Sequence, residues 1–285
     1  MINTNFKDKI ALVTGATNGM GKIMAIKLAE SGAEVVIVGR DKLRTEQTAN
    51  EIKQQVGHNN VHSLIGNLSL MADVKDVAER FKDRFDHLDF LINNAGIIPT
   101  DKRVVTSEGI ESSFAINHLA PFLLTNLLTD HLKASKQARV LNMASEAHGY
   151  GKIDFDNLHG EKSWSPFFGA YTQSKLALVL TAYKFAQKFE NTNVAIISAD
   201  PGGVQTRMTA KGGGAPFFVT GLLKYFFPKP EAAVGKLIEI LSLPNNTELN
   251  GSYFIKGKRK KSAKQSYDKS VGNRLWEVSS NLVNL

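Results

Sequence analysis

"IALVTGATNGMGKIMAIKLAESGAEVVIVGR", residues 10–40, joins an apolar run to a glycine-punctuated turn, a helix-like stretch and a second apolar run. The runs at 10–15 and 34–39 are apolar at consecutive positions, as strands buried on both faces are, while the stretch near 19–31 has helical patterning. The same alternation continues along the chain. Strands are expected at 61–66, 88–96, 138–145, 193–201 and 251–257, and helices near 41–55, 71–85, 106–134, 167–190 and 230–243. Such strands alternating with helices define a parallel sheet covered on both sides, the doubly wound α/β class. No internal repeat and no Gly/Ser or Pro linker divides the chain, so residues 1–285 are expected to form a single domain. Two irregular inserts interrupt it, 146–166 and 207–229, and inserts of that length often carry function.

Composition narrows the chemistry. There is no cysteine, which excludes disulfides, thiolate nucleophiles and cysteine-ligated metal centres. No carboxylate–histidine spacing points to a metal, and none is expected. The polar start "MINTNFKDK" leaves no room for a secretory signal, and no apolar run approaches the ~18 residues of a membrane span. A cytoplasmic protein is the expectation. The net charge of +8 is local: "KGKRKKSAK" (256–264) carries six basic residues and no acid, which leaves +2 elsewhere. That run is expected to be a solvated loop rather than a nucleic-acid site, with phosphate binding the less favoured reading.

In a doubly wound sheet, ligands sit beyond the carboxyl ends of the strands near the switch point, so residues that follow strand runs are the informative ones. After the first run comes Thr14 to Gly21, with Gly15, Gly19 and Gly21 spaced G-x-x-x-G-x-G. Glycines there permit positive φ and close approach of backbone to a pyrophosphate; Asn18 and Met20 lie in the same loop. The second run ends in Arg40, where a guanidinium suits a ribose 2′-phosphate and an acid would suit a free 2′-hydroxyl. NADP(H) is therefore preferred over NAD(H), with Lys42 and Arg44 as helpers. Asn67 and Leu68 follow the third run, where an adenine would lie; Asn67 could equally cap the next helix.

"AYTQSK" (170–175) sets Tyr171 and Lys175 four positions apart, on one helical face. With "NNAG" (93–96), "INHLAPFLLT" (116–125) and "LNMASEAHG" (141–149), the sequence resembles the short-chain dehydrogenase/reductase family over nearly its whole length. Within that family it is most like the retinol dehydrogenase-like branch, through "NHLAPFLLT", "GKIDFDNLHGEKSW", "AYTQSKLALVL" and "RLWEVSSNLV". Two departures stand out: the polar residues before the first strand are not expected to form the membrane anchor that several members carry there, and Asp200 stands where members often have histidine.

The resemblance implies a Rossmann-type fold and hydride transfer between NADP(H) and a carbonyl or alcohol of a lipophilic small molecule. It implies Asn117, Ser145, Tyr171 and Lys175 as the catalytic set. Tyr171 would be the proton donor, tuned downward from its ordinary pKa by Lys175 together with the positive nicotinamide of the oxidised cofactor; Lys175 would also hold the nicotinamide ribose. Ser145 would polarise the substrate oxygen, and Asn117 would hold a water leading to Lys175. Cofactor contacts are implied at Asn94, Ala95, Gly96, Pro201, Gly202, Val204 and Thr206. His118 and His148 are expected to be structural or to line the substrate site.

Aromatics in 146–166 and just beyond are expected to wall an apolar pocket. "APFFVTGLLKYFFP" (215–228) is a second wall, ordinary core, or a lid touching membrane; with the basic run it raises a weak peripheral membrane contact. The helix after Tyr171 is apolar around much of its circumference, which predicts a homo-oligomer through a second buried face. The alternative to an enzyme is a non-catalytic dinucleotide-sensing regulatory protein with a protein partner. Loss of Tyr171 or Lys175 would have favoured it, and both are present.

Overall fold

The computed structural model describes residues 5–204, 229–244 and 246–285. In chain order the first elements are β1 (Ile10–Thr14), α1 (Gly19–Glu30), β2 (Glu34–Gly39), α2 (Lys42–Val56), β3 (Val61–Ile65), α3 (Met71–Lys82) and β4 (Phe90–Asn93). A helical region follows as α4 (Ser112–Phe114), a π-turn (Ala115–Leu119), α5 (Ala120–Leu127) and α6 (Thr129–Ala134). Then come β5 (Ala138–Met143), a second π-turn (Pro166–Tyr171), α7 (Thr172–Lys188) and β6 (Val194–Asp200). The chain closes with α8 (Pro230–Leu241), α9 (Asn246–Leu249), β7 (Ser252–Ile255), β8 (Lys258–Lys260) and α10 (Lys269–Val283).

The strands form one sheet in the order β3-β2-β1-β4-β5-β6-β7-β8, parallel except for the antiparallel last pair. β1, β5 and β6 are buried at every residue, which is why they read as unbroken apolar runs. Alternate side chains serve opposite faces. Leu12, Val36 and Val38 pack with α3, α5 and α7; Ala11, Val13, Val35 and Ile37 pack with α1, α2 and α8. The chain winds outward from β1 to β3, then crosses back to lay β4 on β1's other side, with Leu12 against Leu91. The switch point thus falls between β1 and β4, and the carboxyl-end crevice opens there.

Four sequence expectations change. The helix expected over 106–134 begins only at Ser112 and is interrupted by a π-turn centred on Asn117, whose side-chain amide bonds the Ile97 backbone. The basic run is not wholly a loop. Lys258–Lys260 pair with β7 as an exposed edge strand, where lysine and arginine discourage pairing with another chain. The sequence reading had no helix over Lys269–Val283, yet α10 is there, capped by Asp268, whose carboxylate accepts from Ser270 N and Val271 N. Finally, the second apolar face of α7 is covered by α10 of the same chain. Trp276 lies edge-on to Phe122 and Phe185, each at 4.8 Å between ring centroids, with Lys188 Nζ 4.4 Å from the indole. The apolarity that predicted a homo-oligomer is satisfied within one chain.

Candidate active site

The crevice is built first by the turn after β1. Gly15 has φ +64°, and a Cβ there would lie 2.9 Å from Ala95 Cα, so only glycine lets the turn approach the end of β4. Thr14 and Asn94 fasten the two together. Thr14 Oγ1 donates to Ile92 O at 3.2 Å and accepts from the Asn94 and Ala95 amides at 3.0 Å each. Asn94 Nδ2 donates to Thr14 O at 2.8 Å and to Gly15 O at 3.2 Å. Both side chains were expected among the cofactor contacts, and both are engaged in shaping the loop.

At Gly19, φ is +54° and the space above its Cα is open. α1 begins there with no side-chain cap from Asn18 and no acid in its first turn. Its leading amides and the positive end of its dipole are therefore available to an anion. A cavity of about 380 Å³ runs from this turn past the ends of β2 and β3, lined by Gly15, Asn18, Gly19, Met20, Gly21, Arg40, Arg44, Asn67 and Leu68. Among the described residues the arginine ion pairs are those of Arg80 and Arg103, which leaves both cavity arginines without a carboxylate. Lys42 does not line the cavity. Asn67 uses its Oδ1 locally, accepting from Ser69 N at 3.2 Å and Ser69 Oγ at 2.9 Å.

A second cavity, about 500 Å³, adjoins the first at Met20, Asn94 and Gly96. It gathers Ser145, Tyr171, Lys175, Asp200, Pro201, Gly202 and Val204 around one space, although they come from three separate stretches of chain. Ile98, Met143, Tyr150, Phe167 and Phe168 give it an apolar wall. Phe167 stacks on Tyr171 at 5.4 Å between ring centroids, and Tyr150 meets Phe168 edge-on at 6.3 Å. The insert's other aromatics pack elsewhere: Trp164 donates to Asp101 O at 2.8 Å, and Phe155 lies under Arg274. Thr206 and the segment 215–228 lie outside the described residues. A third cavity, about 510 Å³, between α7 and α10 holds none of the expected site residues.

Tyr171 ends the second π-turn, and Lys175 follows one turn into α7. Such π-turns recur at functional sites, and here one carries Asn117 and the other Tyr171. Lys175 Nζ donates to Met143 O at 2.8 Å and stands 5.9 Å from the centre of the tyrosine ring. Asn117 Oδ1 accepts from Ile97 N at 2.8 Å; its Nδ2 donates to Ile97 O at 2.9 Å and Ser174 Oγ at 3.0 Å. Protein thus engages both ends of the Asn117 side-chain amide, which fixes Gly96–Ile97 beside Lys175. A Cβ on Gly96 would come 3.1 Å from Asn117 Oδ1 and 3.5 Å from Lys175 Nζ.

Burial dominates the electrostatics. It pushes the Tyr171 phenol up to about 12, opposed by a hydrogen bond with Ser145 and assisted by the Asp200 charge. Burial also brings Lys175 down to about 8, with Asp200 opposing. Asp200 is shifted upward by burial, while its carboxylate accepts from Gly202 N at 2.6 Å and from Glu146 N. It ties the turn after Ser145 to the loop after β6, a link that sequence reasoning missed. The signal was an acid ending an otherwise apolar strand.

The expected structural role of the two histidines holds. His118 is buried, bonded through Nε2 to Ser279 Oγ at 2.8 Å, and burial takes it down to about 3. His148 bonds to Ser145 O and Ala263 N rather than facing the cavity.

A doubly wound sheet with a glycine turn at its switch point and a Tyr–Lys pair in the adjoining cavity defines a class of dinucleotide-binding oxidoreductases. The chain belongs to the short-chain dehydrogenase family: the family model described as short chain dehydrogenase matches residues 9–214. It resembles the retinol dehydrogenases. It is 33% identical to human retinol dehydrogenase 13, over 97% of this chain and 85% of that protein. Mouse retinol dehydrogenase 12 is 35% identical over 99% and 89%. Among solved structures, a short chain dehydrogenase of Shigella flexneri complexed with NADP superposes with a TM-score of 0.71 at 21% identity, covering 90% of this chain and 100% of that one, a likeness of fold.

Among the described residues no helix is long and apolar enough to cross a membrane.

Proposed function

We propose that residues 1–285 act as one domain that transfers hydride between NADP(H) and a carbonyl or alcohol of a lipophilic small molecule. The observation that carries this reading is the convergence of Ser145, Tyr171 and Lys175 on an apolar-walled cavity adjoining a cleft lined by Arg40 and Arg44, which form no ion pair among the described residues. The glycine turn, the uncapped start of α1 and Arg40 with Arg44 fit a dinucleotide bearing a 2′-phosphate. When bound, that cofactor supplies or accepts the hydride.

The chain's own residues do the rest. Gly15, Gly19 and Gly21 would admit the pyrophosphate; Gly96, Pro201, Gly202 and Val204 would line the nicotinamide end. Lys175 holds the ribose hydroxyls. Ser145 donates to the substrate oxygen and stabilises charge developing there. Tyr171 donates a proton to the same oxygen in reduction and takes it back in oxidation. With its phenol near 12, Tyr171 is protonated at neutral pH and ready as an acid for reduction. As a base it needs positive charge close by, and Lys175 is the cation the chain provides.

A panel of carbonyls and alcohols with NADPH and NADH, followed by absorbance of the reduced cofactor, tests the reading. Apolar ketones or aldehydes should turn over with NADPH. Arg40→Asp should lower the NADPH/NADH ratio of kcat/KM at least tenfold. An unchanged ratio would remove Arg40 from cofactor choice.

A further inference from the structure

Residues 262–267 run across the back of the turn that carries Ser145. Ala263 N donates to His148 Nε2 at 2.9 Å, and Gln265 Nε2 donates to His148 O at 3.3 Å, Gly149 O at 2.6 Å and Gly151 O at 3.4 Å. The strap lies outside the span matched by the family model, which ends at 214. It is itself anchored: Ser262 Oγ bonds Tyr183 Oη on α7 at 2.7 Å and Ser266 Oγ at 2.6 Å.

His148 is the joint between strap and turn, and its protonation state follows from its partners. A backbone N–H can only donate, so Nε2, which receives it from Ala263, must present a lone pair. Nδ1 sits 2.7 Å from Ser145 O, an acceptor, so Nδ1 must carry the hydrogen. The ring is neutral. The Ser145 carbonyl also accepts from His148 N at 3.0 Å, so one residue holds it twice. Ser145 in turn lines the same cavity as the Tyr171 phenol.

We propose that His148 is a positioning residue: as the neutral Nδ1–H tautomer it couples the C-terminal strap to the turn carrying Ser145, and protonating its Nε2 uncouples them. The inference deepens the proposed oxidoreductase reading and rests on it. A proton on Nε2 would face the Ala263 N–H, donor against donor, and the strap would lose its central bond. The surroundings are mixed. Burial disfavours the charged ring, whereas Asp200 at the end of β6 and Glu146 in the turn itself favour it. Tyr253 of β7 packs on the ring at 5.0 Å between centroids, with its Oη 3.4 Å from Nδ1, where it can accept from the same N–H that Ser145 O receives. On α7 the buried cation, Lys175, is bonded to Met143 O, and the strap's cations Lys261 and Lys264 are exposed. Burial prevails, leaving the ring neutral above the usual imidazole range.

The test uses the full chain with NADPH and a carbonyl that it turns over. The wild-type kcat should fall on the acid side with a midpoint below 6.5, the ordinary imidazole value. In His148→Gln, whose amide oxygen can still accept from Ala263, that limb should vanish while kcat at pH 7.5 stays within about fivefold. His148→Ala should lose at least tenfold in kcat with KM for NADPH unchanged, and Gln265→Ala about threefold. The nitrogen-15 spectrum should show His148 protonated on Nδ1 alone at pH 7.5. An Nε2–H tautomer, an identical acid limb in His148→Gln, or full kcat in His148→Ala would each overturn the proposal. Should no carbonyl or alcohol turn over, the reaction reading fails separately. The spectrum, with at least tenfold faster exchange of the Ala147 and Ala263 amides in His148→Ala, would still decide the coupling, and unchanged exchange would refute it.

Discussion

Replacing Lys175 by methionine should make the protein more stable and inactive at once. The lysine is 5% exposed, and its folded pKa is about 8 against an ordinary value of 10.5. A depression of that size corresponds to about 3 kcal/mol held against the fold whenever the lysine is charged in both states. The sign is fixed by proton binding. Between about pH 8 and 10.5 the unfolded chain binds more protons than the native one, so stability rises with pH there; below pH 8 the full cost is present. Methionine removes the charge at similar volume but leaves Met143 O without its 2.8 Å donor, a loss of about 1 kcal/mol. The balance at pH 7 is a gain of about 2 kcal/mol, or ~4 °C in thermal midpoint for a chain of this size. By pH 10 lysine is neutral in most native molecules, and the gain should have largely gone. Urea unfolding of both proteins at pH 7 and pH 10, without cofactor, measures it. A variant less stable than wild type at pH 7, or an advantage equal at the two pH values, would refute the argument that burial of a charged lysine is the cost of this site.

The remaining expectations are quickly stated. Tyr171→Phe keeps the ring stacked on Phe167 but removes the proton, so kcat should fall by about 10²–10⁴ with NADPH affinity within threefold, read by single-turnover kinetics and fluorescence titration. Gly15→Ala forces a side chain into φ +64° against Ala95 Cα, which should cost about 1–3 kcal/mol in urea unfolding and weaken NADPH binding. Trp276→Ala strips α10 of its contact with Phe122 and Phe185. It should cost about 2–3 kcal/mol, less than for a fully buried tryptophan because the indole is only partly buried.

Much of the site was legible because its residues follow strands. A doubly wound sheet sends ligands to the strands' carboxyl ends, so glycines after β1, Arg40 after β2, "NNAG" at β4 and Ser145 after β5 could be read in order without coordinates. Less legible were the residues that shape those positions. That the polar atoms of Thr14 and Asn94 bind the loop was not legible. Nor was the bonding of the Asn117 amide to Ile97. A hydrogen bond from a side chain to backbone twenty or eighty positions away leaves no periodic trace. The helix α10 did leave one, since Val271, Leu275, Val278 and Leu282 recur at helical spacing behind an Asp268 cap, and its pattern could have been found.

Local pattern alone thus determined the sheet class, the position of the switch point, the glycine turn and the Tyr–Lys spacing. Each depends on backbone periodicity or on residues within one helical turn. Tertiary structure decided three further matters: which group covers the apolar face of α7, how far burial moves Tyr171 and Lys175, and which residues hold Ser145. Burial and long-range hydrogen bonds depend on the distances between segments once folded. The proximity of His148 to Ala263, one hundred and fifteen residues on, exists only after the sheet has brought both to its carboxyl end.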